Sequence, residues 1–276
     1  MRPVIKNRPP YFSGFDPLPE KYKGTIREDG KPFYLRSENN KAIVISLHGF
    51  SANTYEARPV AEACLNVGID AMAPLMPGHG YQDEESSYKM WSLVNSTEYL
   101  EGLRNDIKIA RKNYEKVFIY GQSMGGALAL TMAGEGLVDA VATTAPGILK
   151  IPKIFLLFIR LCAFLFGGKL IKMDPTKKFY NSAYEQVPLR AINSIIGLLP
   201  YSRKMVKNVA CPFLLVVSES DDMINPKKIL KALPKDAKSN TKIEWYNESG
   251  HTMPLDVNGK EICESIARFF KKFLIS

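Results

Sequence analysis

Short runs of consecutive apolar residues alternate with longer stretches of helical periodicity along most of this chain, and that alternation admits few architectures. Ala42–Leu47 (AIVISL), Ile69–Ala73, Val117–Tyr120, Val138–Thr143, Phe213–Val217 and Lys242–Tyr246 read as strands. Tyr55–Val67, Thr97–Tyr114, Met124–Ala133, Pro226–Leu233 and Lys260–Phe273 read as the helices between them. In the second of these, Leu100, Leu103, Ile107 and Ala110 recur on one face. A strand that is apolar on both faces must be covered on both, and intervening helices supply the cover. The pattern therefore predicts an α/β fold with a mostly parallel central sheet.

The alternation breaks after Pro146 and resumes at Ala210. The stretch between shows no clear strand and holds the most apolar run in the chain, Ile154–Phe166 (IFLLFIRLCAFLF). We therefore expect a core from residues 1–145 and 210–276, with 146–209 inserted as a helical cap. A length of 276 residues, 46% of them hydrophobic, is ample for one large core. Cys64, Cys162, Cys211 and Cys263 lie far apart without a CxxC pair, so free thiols are expected. The start, MRPVIKNRPPY, has no apolar stretch of the secretory kind, which points to a cytoplasmic protein.

Chemistry concentrates at Gly121-Gln122-Ser123-Met124-Gly125, a G-x-S-x-G motif preceded by a strand and followed by a helix. In that context the serine sits on a tight turn that lifts its hydroxyl above the sheet, as a nucleophile requires. The flanking glycines are needed small, and the Met124 N–H at the helix N-terminus favours a developing oxyanion. His251 is the one histidine of three that follows Ser123, just after a strand, and is the candidate base. The acid that orients it should follow a strand between them. Asp221 fits best, with Asp222 as the alternative. His48 or His79 with Asp106 and Ser123 would satisfy the His-Asp-Ser order of chymotrypsin-like proteases, but that order belongs to an all-β fold.

With these motifs in view, the chain resembles the α/β-hydrolase superfamily across nearly its whole length, and most of all bacterial carboxylesterases and monoacylglycerol lipases. The likeness rests on His48-Gly49-Phe50, Pro77-Gly78-His79-Gly80, the GQSMGG elbow, and Asp221–Pro226 with Ser249-Gly250-His251. It implies a Ser123–His251–Asp221 triad and an oxyanion hole from the backbone N–H groups of Phe50 and Met124. It also implies a structural or rim role for His79. The expected activity is hydrolysis of small acyl esters, lipid-like ones included, through an acyl-enzyme. A thioesterase or acyltransferase on the same fold is the alternative, and a non-catalytic lipid-binding protein a more distant one. No cofactor is implied, and the scattered histidines and cysteines do not suggest a metal site.

The charge balance bears on the cap. The chain carries a net +9, and residues 150–178 hold seven basic side chains (Lys150, Lys153, Arg160, Lys169, Lys172, Lys177 and Lys178) against Asp174 alone. Two readings of Ile154–Phe166 stay open, a helix buried against the core or a lid whose apolar face lines an acyl pocket or meets lipid. The run is too short for a membrane span of about 20 apolar residues. Apolar residues flanked by basic ones suit peripheral contact with an anionic membrane. Nucleic acid is not an expected partner, because no recognition motif or aromatic–basic interleaving is present.

Overall fold

A computed structural model describes residues 9–168, 170–172, 186–234 and 241–274. Seven strands build the main sheet: β1 (Phe33–Leu35), β2 (Ala42–Leu47), β3 (Asp70–Ala73), β4 (Lys116–Gln122), β5 (Ala140–Thr144), β8 (Phe213–Ser218) and β9 (Thr241–Tyr246). Their spatial order is β1-β3-β2-β4-β5-β8-β9. Every pairing is parallel except β1 with β3. This is the mostly parallel α/β sheet the alternation predicts, in the form the resemblance to α/β-hydrolases implies. All six residues of both β2 and β8 are buried, as a centrally placed parallel strand requires.

The helices are α1 (Thr54–Leu65), α2 (Glu84–Trp91), α3 (Ser96–Asn113), α4 (Met124–Gly134), α5 (Lys153–Leu165), α6 (Leu189–Val206), α7 (Pro226–Ala232) and α8 (Gly259–Lys271). Helices α1 and α8 pack together on one side of the sheet, while α3, α4 and α6 pack together on the other. Local chemistry sets their starts. Asn95 accepts the Thr97 N–H at 3.2 Å while the Glu98 carboxylate returns to the Asn95 N–H at 3.0 Å, a capping box that opens α3. On the α8 side, Phe118 of β4 and Phe270 stack with ring centroids 5.1 Å apart, both fully buried.

Four short elements depart from the sequence pattern. The pattern does not predict strand β1, whose Phe-Tyr-Leu run is only three residues long, or helix α2, which is short and of mixed polarity. Within 146–209, where no strand is expected, β6 (Leu170–Lys172) and β7 (Gln186–Pro188) pair antiparallel as a separate ribbon. Three residues are too few to display a two-residue period. Helix α6 then returns the chain onto α4, and α5 packs on α6.

Helix α5 turns its wider apolar stripe outward. Ile154, Leu157, Phe158, Leu161 and Phe164 follow three- and four-residue spacing, and all are exposed, Phe164 by 80% and Ile154 by 75%. Ala163 is buried on the other side, with Leu156 and Ile159 half-buried. The reading of this helix as one buried against the core is therefore corrected. Lys150, three residues before the helix, and Arg160 on it are exposed, whereas Lys169, Asp174, Lys177 and Lys178 lie outside the described residues, as does the start of the chain through Arg8. Among the described residues no helix is long and apolar enough to cross a membrane. All four cysteines are free.

Candidate active site

Parallel strands deliver their C-terminal ends to one edge of the sheet, and the turns there carry Phe50, Ser123, Asp221 and His251. Strand β2 runs into His48-Gly49-Phe50, β4 into Ser123, β8 into Asp221 and β9 into His251. Ser123 caps α4 with φ 52° and ψ −111°. A left-handed conformation of this kind costs a non-glycine residue roughly 1–3 kcal/mol, so its surroundings must impose it. They do so through three backbone bonds. The Ser123 N–H donates to the Thr144 carbonyl at 3.0 Å, and its own carbonyl accepts from Gly147 at 2.9 Å and Ala127 at 3.1 Å. The flanking glycines are sterically required. A β-carbon on Gly121 would lie 2.1 Å from the Gly125 carbonyl oxygen, and one on Gly125 would lie 2.6 Å from that of Leu47.

His251 and Asp221 meet on the loops after β9 and β8. The imidazole Nδ1 lies 2.9 and 3.0 Å from the two Asp221 oxygens, with both residues buried. Asp222, the alternative acid, is exposed. Burial pushes the Asp221 carboxyl up, but the His251 hydrogen bond and charge, with the N–H groups of Ile224 and Met223, outweigh it and hold the group below its ordinary value. The His251 loop is pinned from several sides. Gly250 donates its N–H to Asp256 at 2.6 Å, and the Gln122 side-chain amide donates to the His251 carbonyl at 2.6 Å.

The loop after β2 passes beside the serine, since a β-carbon on Gly49 would lie 3.5 Å from Ser123 Cβ. Its conformation is fixed from below by the buried Glu56 carboxylate, which accepts the Gly49 N–H. His48 donates Nδ1–H to the Gly49 carbonyl at 2.8 Å and accepts the Met76 N–H at Nε2. Phe50 stacks on Trp91 of α2 at 5.3 Å, and the Trp91 indole donates to His79 Nδ1 at 3.1 Å. Burial drives both imidazoles down, His48 to about 4 and His79 well below its ordinary value. Asp106 sits apart from them on α3, bonded by the Tyr11 and Ser13 hydroxyls at 2.6 Å each. The chymotrypsin-like alternative is thus not assembled. Thr144, Glu56 and Trp91 lie in no local motif, and Gln122 fills a variable position of G-x-S-x-G, so the sequence singles out none of the four.

A parallel sheet with a strained serine at the strand-to-helix elbow and a histidine–carboxylate pair on later strand-end loops defines an α/β-hydrolase of the serine-hydrolase class. More narrowly, the chain belongs to the family described as serine aminopeptidase, S33, which matches residues 38–258. It is 27% identical over 263 residues to the thermostable monoacylglycerol lipase of Bacillus sp. (strain H-257), covering 90% of this chain and 96% of that one. It is 24% identical over 257 residues to a carboxylesterase of Bacillus subtilis (strain 168), covering 88% and 96%. Among solved structures, a monoacylglycerol lipase from Paleococcus ferrophilus superposes with a TM-score of 0.70 at 16% identity, over 88% of this chain and 98% of that one.

Proposed function

We propose that this enzyme hydrolyses carboxylic esters of lipid-like acyl groups, monoacylglycerols or similar, with Ser123 as nucleophile, His251 as base and Asp221 as the acid that orients it. The observation that carries the reading is the buried His251–Asp221 pair, whose histidine is tied to Gln122, the residue next to the strained Ser123. Asp221 at Nδ1 leaves Nε2 to take the Ser123 Oγ proton as the oxygen attacks the ester carbonyl. The N–H groups of Phe50 and Met124 then hold the tetrahedral oxyanion. Collapse breaks the ester C–O bond, and the leaving alkoxide takes the proton from His251. Water, deprotonated by the same imidazole, attacks the acyl-enzyme and releases the acid and free Ser123.

Ser123→Ala should lower kcat on a 4-nitrophenyl ester and on a monoacylglycerol by about 10,000-fold or more with the fold intact by circular dichroism. Undiminished hydrolysis would refute the assignment. An acyl thioester and an aminoacyl anilide assayed alongside test the thioesterase reading and the peptidase activity in the family's description.

The exposed stripe on α5 supports a second element, that residues 146–209 act as a cap that touches anionic membrane. Contiguous exposed apolar surface marks an interaction site, and the exposed Lys150 before the helix and Arg160 on it suit negative lipid headgroups. Vesicles containing phosphatidylglycerol should sediment the protein at low salt, and Phe158→Asp should release it. Absence of binding at low ionic strength would remove this element.

A further inference from the structure

We propose that Gln122 is a positioning residue for the catalytic histidine, fixed in its working orientation by Thr144 and Tyr120. The inference rests on the role given to His251 above. It starts from three side chains that the reaction itself does not use. Tyr120, Gln122 and Thr144 are all fully buried, and a polar side chain in that position is costly unless each of its groups is paired.

The pairing runs in one direction. The Gln122 amide nitrogen lies 2.6 Å from the His251 carbonyl oxygen, which can only accept, so the nitrogen donates. The opposite end of the amide, Oε1, then accepts the Thr144 hydroxyl proton. A threonine hydroxyl has one proton, so toward its other neighbour it must accept, and the Tyr120 hydroxyl donates to it at 2.7 Å. The order Tyr120 to Thr144 to Gln122 to the His251 carbonyl leaves no freedom to flip the amide. A flipped Gln122 would set its oxygen against a carbonyl and its nitrogen against a hydroxyl already committed.

Strand register supplies the geometry. Gln122 ends β4 opposite Thr144, which ends β5, and both lie one step from the serine turn. Because Gln122 precedes Ser123 in the chain, its backbone moves with the nucleophile while its side chain holds the backbone of the base. Asp221 fixes the rotation of the imidazole, and Gln122 fixes where the residue carrying it stands. A displacement of about 1 Å between reacting groups can cost on the order of 100-fold in rate, which is the scale at stake here.

The test compares Gln122→Met, Thr144→Val, Thr144→Ser and Tyr120→Phe in the full chain. Each is read by kcat and KM on 4-nitrophenyl butyrate and by the rate at which a fluorophosphonate labels Ser123. Gln122→Met is expected to lower kcat and the labelling rate about 10- to 100-fold, with KM changed by less than about threefold. Thr144→Val should move both in the same direction by less, Tyr120→Phe by least, and Thr144→Ser should restore most of what Thr144→Val loses. A purely structural role would instead lower the melting temperature and leave kcat per folded molecule unchanged. Folded Gln122→Met with wild-type kcat and labelling overturns the proposal. If that variant does not fold, a Thr144→Val enzyme with unchanged kcat and labelling overturns it equally. A wild-type protein that the fluorophosphonate does not label overturns the ester-hydrolase reading and this inference with it.

Discussion

Acid should loosen this protein through His48, and the size of the effect follows from its burial. The imidazole is wholly inside, bridging Gly49 of one strand-end loop and Met76 of another. Burial lowers its pKa from 6.5 to about 4 against the opposing pull of the Gly49 carbonyl. In the unfolded chain the ring takes up its proton as the pH falls through the higher value; in the native state it resists until the lower one. The stabilisation is therefore complete above pH 6.5 and is lost as the pH falls toward 4. At about 1.4 kcal/mol per pH unit, that interval amounts to about 3 kcal/mol. His79, 5.0 Å away ring to ring and also held low by burial, adds in the same direction. His48→Gln keeps an amide that can serve both loop contacts but does not titrate in this range. Urea unfolding followed by circular dichroism near pH 7 and pH 4 would give the stability difference between the two proteins. The wild-type advantage should shrink by about 3 kcal/mol in acid. A difference unchanged across that range would refute the argument.

Three other outcomes follow from the same structure. Burial pushes the Asp106 carboxyl up to about 6, against the Ser13 and Tyr11 hydrogen bonds, so its contribution is present below the ordinary carboxylate value and lost as the pH rises through 6. Asp106→Asn escapes that loss, and between pH 4 and pH 7 its stability by urea unfolding should gain about 3 kcal/mol relative to wild type. Asp221→Asn removes the carboxylate that selects the His251 tautomer, and kcat on a chromogenic ester should fall about 10,000-fold while far-ultraviolet circular dichroism is unchanged. Phe270→Ala empties a site stacked on Phe118, and calorimetry should show a loss of about 3–5 kcal/mol.

How much of this was legible in the sequence depends on the range of the interactions involved. The apolar runs of β2 and β8 can be covered only in a layered α/β fold, so their burial could be read directly. The serine turn was equally plain, because close packing at Gly121 and Gly125 leaves one residue type at each. Asp221 was separable from Asp222 only by the shape of the loop after β8. The Tyr120, Thr144 and Gln122 network was invisible because it depends on β4 pairing with β5 in a particular register, which neither segment encodes alone. Helix α2 was missed because its Ser-rich run hides a helix started by Asp83, which accepts the N–H groups of Glu85 and Ser86. The apolar run in α5 announced a helix, but its periodicity is the same whether the stripe faces inward or out.

The stacking of Trp91 on Phe50 gives the chain its own optical reporter. There are two tryptophans. Trp245 stands 42% exposed on edge strand β9, where aqueous quenchers reach it and its emission lies to the red. Trp91 is fully buried against Phe50 and His79, so its blue, protected emission belongs to the loop that carries Phe50. With iodide silencing the outer indole, the remaining signal would follow that loop as an acyl group arrives and departs, without a label attached.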